Sequence, residues 1–469
     1  MNNDILLVRT EFKGRTLQAM ATGLALALLP LAVLAQQSDT QGTSGATPAG
    51  TDAQDAAAPS FWSLHFQATN TSQLHPSFPA PYSGLMSLDP QRSSAETTDV
   101  TLFGGLRLWN GAAVYFDPEI DQGFGLSNTT GLAGFSSGEA YKIGADVPYF
   151  RMQRAFLRQT ISLGGDIQTI DDGPNQLAGS SSANNLTLTL GKFSVVDIFD
   201  TNDYAHDARS DFLNWTVIDA GAFDYAADSW GFTYGGALEW TQDFWTLRGG
   251  IFDLSTIPNG KQPDPGFGEY EVVLEGEERH QWQDHPGKLK VLFFLNHGRM
   301  ASYTDALAYG LETGTVPAVT PVRRFQSRAG LAFNFQQELA GGIGVFARAS
   351  AAQGNREAYE FTDVDQSVSG GVSLHGDRWG RPDDTVGLAL VVNSISLDAE
   401  RYLNAGGLGI LIGDGRLNYG LEQISESYYE FRVKKGITVT FDYQFVENPA
   451  YNRDRGPVSI IGLRLHAEL

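Results

Sequence analysis

Ten charged side chains fall on the polar parity of alternating segments, and they carry the chemistry this chain can offer. Arg154 and Arg158 share one parity with Phe156, Thr160 and Ser162. Residues two apart on a strand share a face, so guanidinium groups, a ring and hydroxyls would project together. Arg107, Glu239, Arg248, Arg348, Glu430, Arg432, Asp442 and Arg464 hold the same parity in their own segments. Such groups hydrogen-bond a neutral, hydroxyl-rich ligand, and an aromatic face covers its apolar side. Interspersed signs also set a transverse field and keep an aqueous passage wet without building a fixed cage. These ten are therefore candidate ligand-binding positions in a polar lumen.

No catalytic residue and no metal ligand is assigned. Gly134-Phe135-Ser136-Ser137-Gly138 fits G-x-S-x-G, but a nucleophile elbow needs a strand before it and a helix after it. The neighbours are glycine-rich, so a loop is expected. No H-E-x-x-H, phosphate-binding loop or cysteine-based metal pattern is present, and no cofactor is implied. His280 and His285 read as solvated residues of a charged loop, as do Glu275, Glu277 and Glu278. A formal charge of −22 argues against nucleic acid as a partner.

The elements that would position these residues are strands. From Val458 the chain ends V-S-I-I-G-L-R-L-H-A-E-L, with Ile461, Leu463, Leu465, Ala467 and Leu469 on one parity and Gly462, Arg464, His466 and Glu468 on the other. The same alternation recurs around Trp62–Thr69, Leu186–Leu190, Leu331–Gln336, Val345–Ser350, Tyr428–Val433 and Thr438–Phe445. Runs of about 7–10 residues approach the length of a tilted membrane-crossing strand. Trp62, Trp109, Trp240, Trp245, Tyr443 and Phe445 sit at run ends, where interfacial aromatic girdles lie. Connections come in two sizes. Short ones such as Trp240–Phe244 contrast with long polar ones, Ile257–Pro286 and Ala351–Gln366. That asymmetry separates a membrane barrel from a secreted sandwich, whose turns come every 8–12 residues or so.

The N-terminus supports export. Arg9, Lys13 and Arg15 precede a largely apolar run from Leu17 to Ala35 that ends Val-Leu-Ala, a signal peptide cut after Ala35. Residues 36–60 read as a flexible arm, and 61–469 as one barrel domain. No later stretch reaches the ~18 apolar residues of a spanning helix. Cysteine is absent, so no disulfide framework operates. The expected fold is all-β, a transmembrane antiparallel β-barrel with a polar lumen. Two polar segments, Ile198–Asp219 and Tyr359–Asp384, are expected either to fold inward or to form external loops. Asp203, Asp207 and Asp211 suggest cation bridging to anionic lipopolysaccharide. Lys192, on the apolar parity after Leu190, is expected to snorkel or to follow a bulge at Gly191.

Longer motifs carry a resemblance. They are G-L-R-L-W-N-G from Gly105, Y-F-D-P-E from Tyr115, R-A-F-L-R-Q-T-I-S-L-G-G from Arg154 and L-T-L-T-L-G-K-F-S-V-V-D-I-F-D from Leu186. D-F-L-N-W from Asp211, W-G-F-T-Y-G-G-A-L-E-W from Trp230 and G-R-P-D-D-T-V-G-L from Gly380 follow. E-S-Y-Y-E-F from Glu426 and F-V-E-N-P-A-Y-N-R-D-R-G-P-V from Phe445 complete the set. In this order and spacing, over about Phe61–Leu469, the chain resembles the OprB-type carbohydrate-selective porins of the Gram-negative outer membrane. The resemblance implies sixteen strands and facilitated diffusion of mono- or small oligosaccharides. Length alone allows roughly 14–20 strands. The implied partners are small sugars and outer-membrane lipid and lipopolysaccharide, with room for a homo-oligomer. The alternative is a general or organic-acid-selective diffusion channel drawn to the inward arginines. The chain departs from many such barrels by ending in Leu469 rather than Phe or Trp.

Overall fold

Alternating segments close on themselves. The computed structural model describes residues 59–469 except 141, 143, 264 and 265; the expected signal peptide and most of the arm lie outside these residues. The first eight strands are β1 (Trp62–His75), β2 (Ser93–Trp109), β3 (Ala112–Gly123), β4 (Ala145–Ile170), β5 (Gly179–Phe193), β6 (Thr233–Gln242), β7 (Trp245–Asp253) and β8 (Tyr270–Trp282). The remainder are β9 (His285–Met300), β10 (Arg324–Ala340), β11 (Ile343–Ala352), β12 (Gln366–His375), β13 (Thr385–Ser394), β14 (Glu422–Lys434), β15 (Ile437–Glu447) and β16 (Val458–Glu468). Each pairs antiparallel with its sequence neighbours, and β1 pairs with β16 from Gln67↔Glu468 to Leu74↔Ile461, so no edge is left open. Closure satisfies every strand's backbone groups without water, which a bilayer requires. No described helix is long and apolar enough to cross a membrane.

The two ends of the barrel differ. At the end where β1 starts and β16 stops, two-residue turns join β2–β3, β6–β7, β8–β9, β10–β11 and β14–β15. Four of these turns use left-handed backbone, at Gly111, Gly342, Gly436 and the Gln283-Asp284 pair. The opposite end carries every long connection between an odd strand and the next even one, of which 194–232 is the longest. Leu463, Phe441, Leu390 and Leu274 project outward and exposed, whereas Arg464, Asp442 and Glu275 project inward and are buried. Trp62, Trp109, Trp240, Trp245, Trp282 and Trp379 all lie at the short-turn end, on strand termini or turns. That is an aromatic girdle.

Several expectations are corrected. Ile257–Pro286 is not one loop: the loop ends at Glu269 and β8 occupies Tyr270–Trp282. Its inward residues are acidic, so the strand imitates a solvated run. Glu275 and Glu277 are buried lumen residues paired with Arg248 at 2.7 and 2.9 Å. Only Glu278 is outward and exposed, where its carboxylate meets His280 at 2.8 Å. His280 and His285 belong to strand ends rather than a loop. In Tyr359–Asp384 only the part before Gln366 folds inward; Gln366–His375 is β12 and the rest is a turn at the opposite end. Lys192 neither snorkels nor follows a slip at Gly191, because β4 and β5 stay in register there. The bulge is in β4, where the pairing with β3 skips Gln153, and Lys192 Nζ donates to the adjacent Met152 carbonyl at 3.1 Å and pairs with Asp228 at 3.1 Å.

Leu463 lies midway along β16 on the outward face. Leu463→Arg is expected to destabilise the barrel by about 2–4 kcal/mol, the cost of a cation on the lipid face near the midplane. Urea unfolding in lipid vesicles measures it, and a change below 1 kcal/mol or so would remove the lipid-facing assignment.

Candidate functional site

The segment 194–232 does not cover the barrel; it descends into the lumen. A chain inside a barrel has backbone donors and acceptors that water cannot reach, so the wall must bond them. It does so from distant strands. Glu426 Oε2 accepts from Asn214 N at 3.1 Å, Glu275 Oε2 from Asp200 N at 2.8 Å and Glu271 Oε2 from Ala226 N at 2.8 Å. Ser350 Oγ accepts from Ala222 N at 2.9 Å and Gln336 Oε1 from Asp203 N at 2.9 Å. Arg348 donates to Val217 O and Ala205 O, both at 2.8 Å, and pairs with Asp200 at 3.2 Å. Arg464 donates to Ala208 O at 2.6 Å and Asp211 O at 2.8 Å. A short helix, Trp215–Ile218, sits within the segment; the Asn214 side chain caps it by accepting from Thr216 N at 3.1 Å. Neighbouring loops lock onto it. Asp224 Oδ atoms accept from Tyr359 N, Glu360 N and Phe361 N at 2.6, 2.9 and 3.0 Å. The run Gly134–Gly138 is a loop with no helix after it, and Ser136 Oγ donates to Gln73 Oε1 at 2.7 Å.

One cavity of about 490 Å³ remains between this segment and the wall of β4. Its aromatic lining includes Phe135, Trp215, Phe361, Tyr225, Trp230 and Phe232. Phe135 and Trp215 stack at 5.3 Å and 14°, and Phe361 lies 4.8 Å from Tyr225. Its polar lining includes Arg154, Arg158, Asp197, Asp207, Arg209, Glu139 and Asn175. Arg154 grips Asp197 through two bonds at 2.7 and 2.6 Å. Burial raises the Asp197 carboxyl, but the Arg154 charge outweighs it and holds the group below the usual range. Arg158 donates to Asn175 O at 2.9 Å and lies over the Tyr115 and Phe156 rings at 5.5 and 5.1 Å. Arg209 reaches Asp99, Glu119 and Glu139 at 3.3, 3.6 and 3.5 Å. Asp219 also lines the cavity. Burial and the nearby Asp200 charge push its carboxyl up to about 8, against the opposing Arg348.

Of the ten sequence candidates, Arg154 and Arg158 line this cavity. The others are engaged away from it. Arg348, Arg464 and its partner Glu430 (3.6 Å) hold the inner segment, and Glu239 binds Arg248 at 2.9 Å within the β8 acid network. Asp442 accepts from Gln444 at 3.1 Å, Arg107 bonds Ser60 O and Ala178 O at 2.8 and 2.9 Å, and the Arg432 backbone is held by Asp384 at 3.0 Å. Strand parity misses Glu139, Lys142, Arg209, Trp215 and Trp230, because all five lie in connections. No local signal separates Trp215 and Trp230 from Trp282 and Trp379, which also fall within polar segments of the sequence. Asp203, Asp207 and Asp211 are also relocated. Asp203 bonds Lys288 inside the barrel at 2.9 Å and Asp211 Oδ2 caps His206 N and Asp207 N at 3.0 and 3.1 Å, so this trio does not face lipopolysaccharide. No group of described residues is arranged to hold a metal ion.

The comparisons agree with this architecture. Residues 87–469 match the family model described as carbohydrate-selective porin, OprB family. The structure of Pseudomonas putida OprB at high pH superposes with a TM-score of 0.65 at 14% identity, covering 87% of this chain and 94% of that one. The outer-membrane channel DcaP of Acinetobacter baumannii gives a TM-score of 0.47 at 10% identity, over 87% and 97% of the two chains. No curated protein matches.

Two outcomes follow from the geometry. Arg348→Met keeps bulk but removes the donors that hold the inner segment; single-channel conductance in planar bilayers is expected to rise and become noisy, with heat-modifiable gel migration retained. Quiet, wild-type conductance would show that Arg348 is not an anchor. Separately, ionisation of Asp219 near pH 8 adds a negative charge to a cavity it shares with His206 (3.9 Å) and Tyr225 (3.5 Å). Reversal potentials in a KCl gradient are expected to shift toward cation preference between pH 7 and 9 or so, and Asp219→Asn is expected to flatten that shift.

Proposed function

The chain belongs to the OprB family of carbohydrate-selective porins, and from that premise we propose that the cavity beside β4 is its selectivity site. The protein is a closed sixteen-stranded outer-membrane barrel that lets carbohydrates diffuse through a polar lumen. In such barrels the short turns face the periplasm and the long loops the exterior. The observation that carries the site proposal is that aromatic rings and charged donors and acceptors together line one cavity. A sugar ring presents an apolar face and an equatorial rim of hydroxyls, and the aromatic and polar lining residues match these in kind. About 490 Å³ lies within the usual range for small-molecule sites and suits a mono- or disaccharide. The charged groups are mostly paired, so they offer hydrogen bonds without strong net attraction. Weak binding is what a conducting site needs.

Arg158 supports the second reading, an organic-acid-selective channel. Its guanidinium meets a carbonyl and two rings rather than a carboxylate. Liposome swelling decides. A hexose and a disaccharide are expected to enter faster than an amino acid or organic anion of similar size. Trp215→Ala is expected to lower that preference about 3–10-fold, the worth of one stacking contact. Entry ordered by size alone would make the channel general, and preference for the anion would transfer the account to Arg158.

A further inference from the structure

The cavity has a floor that does not come from the long loops. Most turns at the periplasmic end are two residues long, yet β4 runs to Ile170 and the next connection is 171–178. Residues 161–169 are exposed on both faces, so the hairpin continues past the barrel rim. It then folds back. Register with β5 breaks on both sides of Gly164, and Gly164 and Gly165 hold φ of 103° and 84°, a conformation only glycine adopts without strain. Gly173 and Gln176 close the tip through reciprocal backbone bonds of 3.1 and 3.0 Å, with Asn175 at φ 56°.

The folded tip is fastened inside the lumen. Asn175 Nδ2 donates to Asp117 Oδ2 on β3 at 2.8 Å, and Arg158 Nη1 donates to Asn175 O at 2.9 Å. Leu177 is buried in the cluster that contains Tyr115 and Phe156. Asp172 meets His65 of β1 at 3.2 Å, and Arg107 holds the base at Ala178 O. Pro174, Asn175 and Gln176 then form part of the cavity lining, and the buried Asn175 Oδ1 has no hydrogen-bond partner. A buried amide oxygen without a partner costs free energy unless something donates to it.

We propose that the infolded tip of the β4–β5 hairpin is the exit-side filter for sugars, with Asn175 as its specificity-determining residue. The tip sets the size limit, and Asn175 Oδ1 accepts from a passing sugar hydroxyl. This rests on the sugar-selective reading of the cavity. Five neighbouring turns show that the barrel closes without such an extension, so the tip is present for the lumen rather than for closure.

The test removes the filter and keeps the strands. Ser162 and Asn185 are paired, so replacing residues 163–184 by Asn-Gly leaves a two-residue turn. Conductance is expected to rise about two-fold or more, and trisaccharide entry to approach that of monosaccharides. Gln176→Trp keeps the tip and narrows the passage; it is expected to cut disaccharide swelling several-fold and serves if the excised form fails to fold. Asn175→Ala is expected to lower sugar preference over a same-sized non-sugar while conductance changes little. Wild-type conductance and size limit in folded, heat-modifiable excised protein, or an unchanged disaccharide rate in Gln176→Trp, overturns the proposal. Failure of the wild-type protein to prefer sugars would instead remove the underlying reading.

Discussion

A buried backbone must be hydrogen-bonded, and that constraint shapes the inside of this barrel. Segment 194–232 lies where water has little access, so each amide and carbonyl there needs a partner. The strands provide it with side chains: Glu271, Glu275 and Glu426 accept, and Arg348 and Arg464 donate. Much of the lumen charge is therefore structural. A charged group bonded on several sides is stable in a dry setting, and removing one partner would leave the other unpaired.

The same constraint decides where this cavity lies. Chain fills much of the lumen, and a cavity remains beside β4, lined by aromatic residues of the inner segment together with Arg154 and Arg158. Asp224 joins three backbone amides of the neighbouring loop to Arg328, at 3.1 Å, and Phe135 comes from the β3–β4 connection, so the aromatic lining is carried by three loops rather than one. Side chains held by such networks keep their positions without a ligand. Selectivity can then come from shape and weak contacts, which suits a site that must also release.

The tryptophans divide by the same logic. Six sit at the short-turn end, where an amphipathic ring is stable between lipid and water. Trp215 and Trp230 sit in the lumen, and Trp230 Nε1 donates to Tyr149 Oη at 2.8 Å while Arg151 lies 3.5 Å over its ring. One residue type thus serves as a membrane anchor outside and as a stacking surface inside.

Sequence by itself determined the strands, their faces and the polar lumen. Period-two alternation is local, and closing a barrel in lipid forces one parity outward, so Leu463 and Arg464 declare their sides without any partner in view. It failed where local chemistry imitated another element. β8 reads as a loop because its inward residues are glutamates, which are uncommon in strands until something buried binds them. The tertiary structure alone decided which connection enters the lumen, which arginines anchor it, and that Arg154 and Arg158 are left facing a cavity. Those outcomes depend on hydrogen bonds such as Arg348 to Val217 O and Glu426 to Asn214 N, between groups more than a hundred residues apart. No pattern within a single strand encodes such a pairing, because its energy comes from desolvated groups that meet only after the barrel has closed.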